Sequence, residues 1–301
     1  MRASTVKGGI IGACLLVLML LGGCSAVRIG YNQAPTLAWW WLDGYLDIDA
    51  AEAPRAKDAL QQWFAWHRRT QLPDYADWLA ATQQQVMQPV TPQQVCVAWV
   101  QLRTRLDAAV AHGVPLAAEL LPLLKPQQLA HLEQRYRKSN LEFERDYLQP
   151  GDERLKSSVR RTVERAEMLY GRLDDRQRQL IAAGVAASPF DPVVWYAERR
   201  ALQGETLQTL ARLTAGGTAR ADPASNLAGL RALSERWLRP PEPYRGYQQR
   251  LLEYNCAFVA QLHNSTTTAQ RQAAHERLEG WQQDLRALAA QRPAPLSEPA
   301  H

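Results

Sequence analysis

The chain predicts an all-α fold: a multi-helix bundle of roughly ten or more helices with short connections punctuated by proline and glycine. Three observations predict it. Apolar residues recur at helical spacing in nearly every segment between turn signals. No run alternates polar with β-branched residues, as a half-buried strand would. Several segment starts also share one plan, in which glutamine follows a capping candidate by three residues.

In chain order, the N-terminus reads as an export signal. Arg2 and Lys7 precede an uncharged, mostly apolar run of 14 residues, Gly8 to Leu21, a length that suits a signal segment and is short for a membrane span. The run ends in Leu21-Gly-Gly-Cys24, which resembles the lipobox of bacterial lipoproteins. That resemblance implies cleavage before Cys24 and lipidation of Cys24. It also implies an outer-membrane address on the periplasmic face, because Ser25 stands where an aspartate would mark inner-membrane retention. The expected organisation is a signal peptide over 1–23, a short membrane-proximal tether over 24–33, a helical domain over 34–291 and a disordered, proline-rich tail over 292–301. A Gly/Ala/Thr-rich stretch at 215–223 is a candidate subdomain boundary. Removing residues 1–23, with Arg2 and Lys7, leaves 278 residues and lowers the formal net charge from +5 to +3.

The first helix is expected to start near Ala34 and to carry Leu37-Ala-Trp-Trp-Trp-Leu-Asp-Gly-Tyr-Leu46. Three adjacent tryptophans fan over about 200° and cannot share one face. Trp40, Trp41 and Tyr45 are therefore expected in the core, with Trp39 left to touch membrane or a partner. Next, Ala56, Leu60, Trp63 and His67 form one stripe that runs into Arg68-Arg69. Further stripes follow: Val95, Trp99, Leu102, Leu106 and Val110; Leu129, Leu132, Tyr136, Phe143 and Tyr147; Leu155, Val159, Val163, Ala166, Tyr170 and Leu173. Near the C-terminus come Leu251, Tyr254, Phe258 and Leu262, then Ala274, Leu278, Trp281, Leu285 and Leu288. Each is an apolar face of the width expected for helices packed side by side.

Thr91, Asp174 and Thr267 are expected N-caps, answered by Gln94, Gln177 and Gln270 in capping boxes. Lys125 cannot accept a hydrogen bond, so the helix after it is expected to lean on Pro126. These starts also resemble the Leu-Thr-x-x-Gln motif of small periplasmic chaperones and stress sensors, which implies binding of unfolded clients. Capping alone accounts for the spacing. Because the starts follow no fixed period, a regular solenoid is not expected.

Chemically loaded motifs are scarce. His67, His112, His131, His263, His275 and His301 include no pair at helical i, i+3 or i+4 spacing, so no metal site and no cofactor is read from the chain. Neither a glycine-rich phosphate loop nor a Gly-x-Ser-x-Gly elbow is present. His67 beside Arg68 and Arg69 is the one candidate for proton transfer or ligand contact; its bland alternative is a core-edge imidazole beside salt-bridged arginines. The arginine-rich middle interleaves with glutamate, a solvated pattern, so nucleic acid is not an expected partner. Cys96 and Cys256 are either a disulfide or two buried thiols.

Cys24-Ser-Ala-Val-Arg-Ile-Gly-Tyr-Asn32, Trp40-Trp-Leu-Asp-Gly-Tyr-Leu-Asp47 and Trp66-His-Arg-Arg-Thr-Gln-Leu-Pro-Asp-Tyr75 resemble a family of proteobacterial lipoproteins catalogued as a domain of unknown function. The resemblance implies no catalytic residues. The expected function is non-enzymatic: binding, scaffolding or a chaperone-like role in the cell envelope. The expected partners are the membrane, through Cys24, and an envelope protein. The alternative is an envelope hydrolase or transferase with a site around His67 and Arg68. A binder should show a broad, shallow groove, whereas an enzyme should show a deep cleft where His67 meets a carboxylate.

Overall fold

A computed structural model describes residues 26–149, 151–215 and 222–291. Cys24, the signal segment, residues 216–221 of the candidate boundary and the 292–301 tail lie outside the described residues. The described residues are helical, with no strand: α1 (Ala26–Leu46), α2 (Ala53–Trp66), a π-helical turn (His67–Gln71), α3 (Leu72–Val86), α4 (Pro92–Ala118), a 3₁₀ turn (Leu121–Leu123), α5 (Pro126–Tyr147), α6 (Gly151–Tyr170), α7 (Asp175–Ala186), α8 (Pro192–Thr214), α9 (Pro223–Leu238), α10 (Tyr244–Asn264) and α11 (Thr268–Ala290).

The caps sit where local chemistry requires them. Thr91, Asp174 and Thr267 each accept from the backbone N–H of Gln94, Gln177 and Gln270, and each glutamine Oε1 accepts in return from the cap's own N–H. At α5 only half of the box forms. Gln128 Oε1 accepts from Lys125 N–H at 2.7 Å, and the Lys125 ammonium turns instead to Asp49 and Glu52.

The glutamines also join distant parts of the chain. Gln177 Nε2 donates to Ser265 O (3.1 Å) and Gln270 Oε1 (2.8 Å); Gln270 Nε2 donates to Arg172 O (2.9 Å) and Gln177 Oε1 (2.9 Å). The starts of α7 and α11 thus lock together about a local two-fold relation. Tyr170 and His263, the same 93 residues apart as the two glutamines, are also joined, Tyr170 Oη to His263 Nδ1 at 2.9 Å. His263 Nε2 donates to Gln88 O (2.8 Å), which leaves Nδ1 to accept from the tyrosine. Burial keeps this imidazole below the ordinary histidine pKa.

Two clusters form the interior. Leu79, Val86, Val163, Tyr170, Leu173, Ile181, Leu262, Ala274 and Leu278 join α3, α6, α7, α10 and α11; α3 and α11 make the most extensive pairing. Leu121, Leu132 and Leu210, with Tyr45, Tyr136 and Leu230 packed against them, join α1, α5, α8 and α9. Helix α4 lies against both α9 and α10, and a Cys96–Cys256 disulfide with a Cα separation of 5.4 Å fastens it to α10.

Three expectations differ from the structure. The segment expected as tether through residue 33 is helical from Ala26, with Pro35 inside α1. Tertiary contacts override the proline: Arg28 pairs with Asp284, Tyr31 with His67 and Asn32 with Arg68. The tryptophans are reversed. Trp40 and Trp41 are 55% and 63% exposed, whereas Trp39 is half-buried under the Lys57 ammonium, 4.9 Å from its ring centroid. The inward face of α1 instead runs through Leu42, Tyr45 and Leu46, towards α5 and α2. Finally, the α4 stripe expected in the core leaves Trp99, Leu102 and Leu106 exposed, because α9 and α10 cover only part of its apolar face.

Candidate binding groove and the His67 cluster

The structure separates the sequence-predicted residues. His67 opens the π-turn, and Leu72 N–H reaches back five residues to His67 O. Pro73 accounts for the wide turn: its ring crowds the carbonyl four residues earlier and it offers no N–H. His67 is only 9% exposed and sits among rings, stacked on Trp63 with centroids 4.7 Å apart and edge-on to Tyr75. Its Nδ1 lies 2.9 Å from Tyr31 Oη. Burial pushes the imidazole pKa down to about 4 and the Tyr31 phenol up to about 12, so both are neutral at pH 7.

Arg68 turns the other way and is 3% exposed. Nη1 donates to Leu288 O (3.0 Å), Nη2 to Asn32 Oδ1 (2.9 Å), and the guanidinium lies over the Tyr31 ring. A cation capping the C-terminal carbonyls of α11 is favourably placed. Arg68 is thus a staple between α1 and α11. Arg69 is exposed. Among the described residues, no carboxylate is bonded to His67 or Arg68; the nearby Asp74 is held by Arg105 at 2.8 Å. His67 lines a shallow depression of 510 Å³ with Trp63, Tyr75, Leu102 and Leu106. A neutral imidazole without a carboxylate partner is poorly equipped for general base work.

The larger concave surface lies elsewhere, on residues that the sequence reading did not single out as a site. A groove runs between α4, α8 and α10, past the C-terminal end of α9. Its wider section, 800 Å³, is walled by Val95 and Trp99 of α4 and by Leu251, Leu252 and Val259 of α10, with Leu238 and Cys256 beneath. A second section, 540 Å³, continues over Trp41, Tyr45, Tyr136 and Trp237. Trp195, Pro240, Tyr244 and Gln248 line both sections and make them continuous.

Helical periodicity builds the walls. Val95, Trp99 and Arg103 recur every four residues on α4, and Tyr244, Gln248, Leu252 and Val259 lie along one side of α10. The disulfide fixes the spacing of these two helices beside the groove. Much of the lining faces water: Trp99 is 47% exposed and Val259 43%. Acidic side chains enter only in the narrower section, where Arg236 pairs with Glu198 (2.6 Å) and Glu205 (2.9 Å); the wider section carries Arg103, Arg239 and Arg245 at its border. So large an apolar and aromatic concavity is the usual signature of a binding surface.

Among the described residues, no group of three or more His, Cys, Asp or Glu could hold a metal ion, and no helix is long and apolar enough to cross a membrane. A family model described as a family of unknown function, DUF6279, matches residues 44–222. No curated protein and no solved structure matches the chain.

Proposed function

We propose a function for a chain that belongs to the family of unknown function DUF6279: it is a binding protein of the cell envelope that holds an apolar part of another component in the α4–α8–α10 groove. In this reading Cys24 carries the lipid that anchors it to the periplasmic face of the outer membrane. The observation that carries the reading is the run of exposed side chains, Trp41, Trp237, Trp99 and Val259, joined by the half-buried Trp195 along one concavity. The lipobox-like Leu21-Gly-Gly-Cys24 supports the anchor. Ala26, where the described helix α1 starts, stands two residues after Cys24, which supports a helical domain held near its anchor. The disulfide suits an oxidising compartment.

Nile red fluorescence tests the groove directly. The dye should brighten on binding, and Val259→Trp, which fills the wider section, should abolish the signal. A change at Leu141, exposed and outside the groove, should leave it intact. Equal dye binding by both variants would remove the groove as the site. Palmitate-analogue labelling that persists in Cys24→Ala would remove the anchor.

A further inference from the structure

The charge around the wider section narrows what it holds. Three guanidinium groups border it, from Arg103, Arg239 and Arg245, and its lining contains no Asp or Glu. This is uneven for a chain with 35 basic and 30 acidic residues. Arg239 is held by Asp107 and Glu235, and Arg245 by Glu242, all outside the lining. Arg103 makes no ion pair or hydrogen bond among the described residues. It stands one helical turn beyond Trp99, at the edge of an otherwise apolar wall.

Shape adds a second constraint. Helices form the walls, so their backbone N–H and C=O groups are already bonded and offer no edge on which an extended peptide could add as a strand. The volume of 800 Å³ falls in the small-molecule range. An apolar slot of that size with one unpaired cation at its rim matches a chain molecule with a single anionic end.

We propose that the groove binds a long-chain fatty carboxylate, its alkyl chain lying against Trp99, Leu252 and Val259 and its carboxylate on Arg103. The proposal rests on the reading of the groove as a binding site. The alkyl chain supplies affinity, each buried methylene being worth about a fourfold gain. Arg103 selects the head group through a charge-assisted hydrogen bond.

The test is calorimetric titration of the full-length chain carrying Cys24→Ser, which has no acyl group of its own. Palmitoleate below its micellar concentration is expected to bind one per chain, and laurate, four carbons shorter, about 250-fold more weakly. Hexadecyltrimethylammonium, of opposite charge, should bind at least tenfold more weakly than palmitoleate. Arg103→Gln should weaken palmitoleate about tenfold or more and leave the ammonium amphiphile no weaker than before. Val259→Trp should weaken every ligand, with unchanged thermal melting in both variants, since each site is partly open to solvent. Equal binding of the two head groups, or palmitoleate binding indifferent to Arg103→Gln, overturns the proposal. If an acidic amphipathic peptide binds one per chain and palmitoleate does not compete, the fatty carboxylate is wrong and the groove reading stands. If Val259→Trp alters neither Nile red nor palmitoleate, both fall.

Discussion

Acid should loosen this fold through one histidine, and the size of the effect follows from His67's surroundings. In the unfolded chain His67 takes up a proton near the ordinary histidine pKa of 6.5; in the folded chain, buried among Trp63, Tyr31 and Tyr75, it does so only at about 4. Between those values the unfolded state holds a proton that the folded state refuses. Stability present above about pH 6.5 is therefore lost as pH falls towards 4. The gap amounts to about 3 kcal/mol in full, of which about 2 kcal/mol is lost between pH 7 and pH 4.5. His67→Phe keeps a ring against Trp63 but does not titrate, at the cost of Tyr31's hydrogen-bond partner, about 1 kcal/mol at every pH. Urea unfolding at pH 7 and 4.5 measures both chains, and carboxylates and the other histidines contribute equally to each. Wild type should lose about 2 kcal/mol more than His67→Phe over that interval. Equal losses, or an NMR titration placing His67 near pH 6.5, would show that the imidazole is not buried as described.

Three further outcomes are expected. Cys96–Cys256 closes a loop of 160 residues, so reduction should cost up to about 5 kcal/mol in the chain-entropy model; a melting temperature unmoved by reductant contradicts this. Arg68→Met removes two charge-assisted hydrogen bonds and frees the Leu288 carbonyl, for an expected loss of about 2 kcal/mol with faster amide exchange in residues 26–35; a stabilised variant with unchanged exchange would refute the staple. Gln270→Leu breaks its own capping box, the bond to Arg172 O and the pairing with buried Gln177, which should lower stability by about 2–3 kcal/mol in chemical denaturation. A loss no greater than that of an ordinary cap, about 1 kcal/mol, would mean that the interlock contributes little.

What could be read from the chain was local. The caps at Thr91, Asp174 and Thr267 depend on contacts three residues away, and Lys125 failed as a cap for the reason its ammonium supplies. The π-turn left a legible sign in Pro73, which sits just past an otherwise uninterrupted helical pattern. Other features needed distant partners. Pro35 looks like a helix start until Arg28, Tyr31 and Asn32 meet α2, the π-turn and α11. Nothing in Trp39-Trp40-Trp41 says which ring meets Lys57. The regular stripe on α4 could not reveal that Trp99 and Leu106 stay uncovered, since its neighbours α9 and α10 are more than 100 residues away in sequence. The groove is assembled from α4, α8, α9 and α10 and has no signature in any one of them. His67 and Arg68 were visible as a pair, yet adjacent helical positions point apart, one into an aromatic cluster and one to the end of α11.

The central claim, that the α4–α8–α10 groove receives an alkyl chain, is tested most directly by tryptophan quenching with dibromostearate, whose bromines quench only rings they touch. The chain has 10 tryptophans, of which Trp99 and Trp195 line the wider section and Trp281 packs in the interior. Saturable quenching is predicted, lost in large part when Trp99 and Trp195 are both replaced by Phe and retained in Trp281→Phe. Quenching that survives the double replacement, or that disappears with Trp281, would contradict the account.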